Sequence, residues 1–169
     1  MTMDRFVGGM LVMLCMNHGI VMADSVGRMP MHVPPAYKAE CGSCHTAYPP
    51  GMLPAASWNR VMTGLENHYG VDATLEPSVV MQLSQWLETN AGHGRKTAVA
   101  PPEDRITRSQ WFVKEHRKVE PAVWRLSSVK SPSNCSACHN SADQGRFSEH
   151  DLKRPAGLTA TQAKAWEDD

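Results

Sequence analysis

The stretch "CGSCH" runs from Cys41 to His45, and "CSACH" runs from Cys135 to His139. In each, a second cysteine follows the first after a two-residue gap, and a histidine follows at once. Three chemistries use cysteines at this spacing. A structural zinc site would pool the two CxxC units and has no need of a histidine directly after each. A thiol–disulfide redox site would sit at a βαβ junction, and the sequence has no such pattern. Covalent haem attachment needs both parts. Two thiols bond the two vinyl groups on one edge of the porphyrin, and the next residue places an imidazole under the iron as proximal ligand. The repetition of the whole unit, histidine included, points to two covalently attached c-type haems, with Cys41, Cys44, Cys135 and Cys138 as attachment points and His45 and His139 as proximal ligands.

The remaining cysteine, Cys15, lies in an N-terminal segment that reads as a signal peptide, residues 1–23. Arg5 precedes an apolar run from Phe6 to Met16, and Val21-Met22-Ala23 fits a small-residue cleavage site. The run is short for a membrane span. Removal of this segment leaves 169 − 23 = 146 residues in which every cysteine belongs to a CxxCH unit. A periplasmic location is expected, which agrees with haem attachment outside the cytoplasmic membrane.

The face of each iron opposite the proximal histidine decides what the haem can do. Two strong axial ligands make an electron carrier; one leaves a place for a small molecule. Among the remaining histidines, His68 recurs with Trp58, Val61, Met62, Leu65 and Tyr69 at three- and four-residue steps, so it falls on an apolar helical face. It is the first choice for the first haem, with Met52 in a proline-rich loop as competitor. His116 shares an apolar face with Phe112 and Val119 and is the choice for the second haem. His150, eleven residues after His139, is its runner-up. His32 and His93 sit in Pro- or Gly-bearing stretches and read as solvated.

The elements that must hold these groups read as mostly α. Residues 24–35 look like an extended lead-in, and "YPPGMLP" is loop because three prolines break any helix. Ser57 is placed to cap a helix from Trp58 that ends near Gly70. Pro77 suits the first turn of a second helix that ends by Asn90. Residues 95–102 read as a linker. Thr107-Arg108-Ser109-Gln110 has the form of a capping box for a third helix, closed by Glu120-Pro121. The tail, residues 156–169, holds a short helical stretch. Trp58, Trp86, Trp111 and Phe112 are read as haem-packing residues. No strand-period segment stands out.

Charge is zero overall, which gives no reason to invoke nucleic acid as a partner, but it is uneven. Residues 24–94 carry three basic and six acidic side chains, and residues 131–169 carry four and six. Residues 95–130 carry nine basic and four acidic, a net of +5. This block, with Arg95, Lys96, Arg105, Arg108, Lys114, Arg117 and Lys118, would suit an acidic redox partner or would neutralise haem propionates.

The segments "VPPAYKAECGSCHTAYPPGMLPAASW", "LENHYGVDATL", "PPEDRITRSQWFVKEHRKV" and "SNCSACHNSADQGRFSEHDLKRP" together resemble the dihaem cytochrome c (DHC) family of exported bacterial electron carriers, over nearly all of residues 33–155. The resemblance implies a class I cytochrome c-like N-terminal domain (residues 24–94) and a smaller, irregular C-terminal haem-binding domain (103–155). It implies bis-histidine ligation, His45 with His68 and His139 with His116. It also implies redox partner proteins, among them a small oxygen-binding c-type cytochrome and a membrane b-type cytochrome. The reading is therefore a periplasmic carrier of single electrons without substrate turnover. The alternatives are a dihaem enzyme with one open iron, such as a peroxidase or small-molecule oxidoreductase, and a haem sensor or subunit of a membrane complex.

Overall fold

The computed structural model describes residues 27–164 and 166. The expected signal peptide, with Cys15 and His18, lies outside them. Among the described residues, five α-helices are connected by loops and single 3₁₀ turns: α1 (Pro35–Cys41), α2 (Ala55–Thr63), α3 (Pro77–Thr89), α4 (Gln110–Glu115) and α5 (Ala160–Lys164). Among the described residues there is no strand, only isolated bridges between His68 and Val71 and between His139 and Leu152. The mostly α reading holds.

The core forms where α2 and α3 pack together and α1 closes over them. Tyr37, Leu53, Trp58, Met62, Leu83, Leu87 and Ala91 are buried there. Trp58 brings a polar edge into this apolar setting, and its Nε1–H donates to the Pro50 carbonyl at 2.7 Å, so its own buried donor is satisfied. The proline-rich loop is loop in part only. Pro50–Met52 forms a 3₁₀ turn and is buried, because proline fixes φ without asking for a hydrogen-bond acceptor. Gly92 seals this loop to the end of α3. Its N–H donates to the Leu53 carbonyl at 2.8 Å, and a Cβ there would meet the Gly51 carbonyl oxygen at 2.5 Å.

The structure corrects several boundaries. α1 occupies the approach to the first motif, where the sequence suggested only an extended lead-in giving way to that motif; Pro35 opens it at the position proline favours. α2 begins at Ala55 on an extended Pro54, so Ser57 is an interior, buried residue and not the cap. It ends at Thr63, seven residues before Gly70. Thr63 Oγ1 donates to the Asn59 carbonyl at 3.0 Å, Gly64 leaves the helical conformation, and one 3₁₀ turn (Leu65–Asn67) follows. α3 matches its expectation. α4 starts one residue after Ser109, whose Oγ accepts the Phe112 N–H at 3.2 Å; this N-cap stands two residues after Thr107, the cap that the capping-box pattern implied. It closes at Glu115, not at Glu120, where His116 takes up a non-helical conformation (φ −101°, ψ 16°) and its ring folds back onto the Phe112 carbonyl.

Candidate cofactor site

Each CxxCH unit is carried on a short, tight piece of backbone. The first starts at the last residue of α1. The second begins with a 3₁₀ turn (Cys135–Ala137), in which the Cys135 carbonyl accepts both the Cys138 and His139 N–H groups at 3.1 and 2.9 Å. Cys41, Cys44, Cys135 and Cys138, together with His45, His68, His116 and His139, line one continuous cavity of about 1500 Å³. Pockets for single small molecules and cofactors span roughly 300–1,000 Å³, so this one has room for two.

Within it the histidines form two facing pairs. The ring centroids of His45 and His68 are 6.2 Å apart, and those of His116 and His139 are also 6.2 Å apart. A metal–imidazole bond is ~2.0–2.1 Å and the ring nitrogen lies ~1.1 Å from its centroid, so two imidazoles opposed across one metal ion stand ~6.2–6.4 Å apart. Both spacings therefore fit one hexacoordinate metal between each pair.

His68 reaches its place by a different route from the one periodicity suggested. It is the first residue of a two-residue turn closed by reciprocal hydrogen bonds with Val71, at 2.8 and 3.1 Å. Tyr69 and Gly70 both have positive φ (53° and 95°), the signature of a type I′ turn. The turn is tied down from outside. The Tyr69 hydroxyl lies within hydrogen-bond range of the Glu103 and Asp104 carbonyls, and the Arg105 guanidinium sits 4.2 Å above the Tyr69 ring. Arg60 of α2 forms a two-pronged bond to the Asp104 carboxylate at 2.7 and 2.8 Å.

The electrostatics suit neutral imidazole ligands. Burial, then the neighbouring His45, then Arg105 hold the His68 pKa below the usual histidine value. Burial lowers that of His116 against the opposing pull of the Phe112 carbonyl and Glu115. Burial and then His116 lower that of His139. The His45 and His116 Nδ1–H groups donate to the carbonyls of Thr46 (2.7 Å) and Phe112 (2.9 Å), which leaves each Nε2 lone pair for a metal.

The thiols argue against a redox or zinc reading. Burial pushes Cys41 and Cys135 up to about 11, opposite to the lowering that marks a reactive thiolate. Among the described residues, no three or more His, Cys, Asp or Glu side chains converge as a metal-holding cluster.

The two units also touch. Thr46 Oγ1 and Ser136 Oγ are 3.1 Å apart, and the Tyr48 hydroxyl donates to the Ser133 carbonyl at 2.7 Å. Of the other histidines singled out by the sequence, His150 is 88 % exposed beside Glu149, and His32 and His93 are exposed. Met52 is buried in the cavity wall. Trp58, Trp111 and Phe112 line the cavity as expected. Trp86 does not; it packs on Tyr37 with centroids 4.6 Å apart and donates to the His32 carbonyl. Sequence reasoning passed over Tyr48, Trp124 and Phe147, which contact the rings of His45, His116 and His139; the proximity of Tyr48 to His45 was the available signal. Among the described residues the buried Trp111 Nε1–H has no partner, and the carboxylates of haem are acceptors of the kind it lacks. The donor set, the spacings and the volume fit two covalently held haems.

A family model for dihaem cytochrome c matches residues 37–147. Among solved structures, the chain is similar to a dihaem c-type cytochrome from Shewanella baltica OS155, at 35 % identity over 73 % of this chain and 96 % of that one, with a TM-score of 0.64. It is also similar to a dihaem cytochrome c from Rhodobacter sphaeroides, at 37 % identity over 68 % and 97 % of the two chains, with a TM-score of 0.61. A second structure from that organism, of purified DHC, gives 37 % identity over 69 % and 98 %, and a TM-score of 0.60. No curated protein matches the chain.

Proposed function

The chain belongs to the dihaem cytochrome c family and so carries two covalently attached c-type haems, and on that premise we propose that it is a bis-histidine carrier of single electrons. Cys41 and Cys44 attach the first haem and Cys135 and Cys138 the second. His45 with His68, and His139 with His116, are the axial pairs. The observation that carries this reading is the pair of 6.2 Å spacings inside one cavity. Haem iron held between two imidazoles supplies reversible one-electron chemistry at comparatively low potential.

The protein's own groups do the rest. Burial favours the neutral imidazoles of His68, His116 and His139, and the Thr46 and Phe112 carbonyls fix the tautomers of His45 and His116, which leaves their Nε2 lone pairs for a metal. Rings set in advance need little rearrangement when charge changes. The contacts Thr46–Ser136 and Tyr48–Ser133 hold the two attachment sites against each other, which suits transfer between them.

The segment 1–23 is a signal peptide in this reading, and the mature chain works in the periplasm. Among the described residues, no helix is long and apolar enough to cross a membrane. Its partners are redox proteins, and by family resemblance a small oxygen-binding c-type cytochrome and a membrane b-type cytochrome are the candidates. Replacement of His68 or His116 by Ala should open one iron to carbon monoxide, seen as a new reduced-state Soret band, while the unaltered holoprotein stays low-spin. Carbon monoxide binding to the unaltered protein would favour the open-iron enzyme. Failure of both variants to bind it would show that other residues are the ligands.

A further inference from the structure

We infer that the two haem sites, built from the same donor set, are held electronically unlike by the angle between their imidazole rings, with Phe112 as the positioning residue of the second. The inference rests on the bis-histidine reading above. His45 and His68 are nearly parallel, with 18° between ring planes; His116 and His139 are nearly perpendicular, with 75°. An imidazole donates π density only at right angles to its own plane. Two parallel rings act on the same one of the paired d orbitals along the axis and split that pair widely. Two crossed rings act on one orbital each and leave the pair almost equal in energy.

Each angle has a structural cause. His45 lies face to face on Tyr48, with centroids 4.9 Å apart and 19° between planes, while its Nδ1–H is tied to the Thr46 carbonyl. His68 is fixed by its turn and by the edge of Tyr69, with centroids 4.9 Å apart at 61°. At the second site one residue sets the distal ring twice. The Phe112 ring stacks on His116 with centroids 4.0 Å apart and 21° between planes, and the Phe112 carbonyl accepts the His116 Nδ1–H. His139 meets the edge of Phe147 with centroids 5.6 Å apart at 67°. The Ser148 backbone also acts on its ring, and together with the Phe147 edge it fixes the ring plane.

The test is electron paramagnetic resonance of the oxidised full-length protein after maturation in the periplasm. Two low-spin ferric signals of equal intensity are expected. One is a resolved rhombic signal from the parallel site, and the other is strongly anisotropic, dominated by a single low-field feature, from the crossed site. Phe112→Leu should shift the anisotropic signal and leave the rhombic one in place, and Phe112→Tyr, which keeps the stacking ring, should restore it. Two similar rhombic signals from the unaltered protein would overturn the inference without recourse to any variant. So would a Phe112→Leu protein with both signals unmoved. A high-spin signal in the unaltered protein would instead overturn the bis-histidine reading itself.

Discussion

At the scale of single residues, the groups that do the chemistry and the groups that place them announce themselves differently. The cysteines and proximal histidines are legible because covalent attachment demands a fixed local spacing. His68 was reached through apolar periodicity, yet it stands on a type I′ turn and not on a helix face. The residue that the period singles out does line the cavity, but the turn and not the helix period puts it there. Asp104, which secures that turn, carries no sequence signal, since its partner Arg60 is forty-four residues away. The Arg60 hydrogen bonds, helped by one from Ser57 and opposed by burial, hold the Asp104 carboxyl below its usual pKa of 3.8. A carboxyl lowered on folding adds stability above its unfolded pKa, and that stability is lost as pH falls through the lowered native value. The holoprotein should therefore exceed Asp104→Asn in denaturant midpoint at neutral pH, and the gap should close as pH drops from about 5 to about 2. A gap that persists at the acid end would mean that the ion pair is not what Asp104 contributes.

At the scale of elements, α2 and α3 were readable because their apolar faces recur over two or more turns and face one core. α3 also had a proline at its start. The short elements were less legible. α1 and α4 have seven and six residues, too few for periodicity to separate from chance, and α4 ends where tertiary contacts capture the His116 ring. The junction between the two CxxCH units was invisible for a similar reason, because Thr46 and Ser136 lie ninety residues apart and neither belongs to a periodic element. Tyr48 is central to that junction, stacking on His45 and donating to the Ser133 carbonyl. Tyr48→Phe keeps the ring and removes the donor. It should lower the unfolding free energy by about 0.5–1.5 kcal/mol, the net worth of an ordinary hydrogen bond, with no change in the low-spin spectrum. Denaturant titration of the oxidised holoprotein, followed at the Soret band, measures both. A loss of the low-spin spectrum would assign the hydroxyl a part in placing His45 itself.

At the scale of the whole molecule, the sequence's charge asymmetry lies mostly beside the cavity and not on its lining. Lys96, Arg105 and Lys118 line the cavity that holds the four candidate ligand histidines, while Lys114 and Arg117 are exposed near Val113, itself 58 % exposed. Part of this charge is balanced internally. Glu103 accepts from both Arg105 and Arg108, and Lys96 lies 3.9 Å from Glu115. The lining itself is balanced, since Lys153 and Arg154 join Lys96, Arg105 and Lys118 there and Glu40, Asp72, Asp104, Glu115 and Glu149 offset them, so the positive field of residues 95–130, nine basic against four acidic, comes mostly from residues off the lining such as Lys114 and Arg117. Such a field steers anionic partners and repels cationic ones. If the cations served only to neutralise haem propionates, the mouth would present little net charge to an approaching reductant. Two small reductants of matched potential and opposite charge separate these roles. Salt screens the field over ~30 Å at 0.01 M and ~10 Å at 0.1 M, so the anionic reductant should react faster at low salt and the two rates should converge as salt rises. The charge-reversed pair Lys114→Glu and Arg117→Glu should remove that low-salt advantage while the spectrum stays low-spin, because neither residue belongs to a ligand set. Equal rates at low salt for the unaltered protein would leave the basic block a propionate counter-charge and remove it as a docking face.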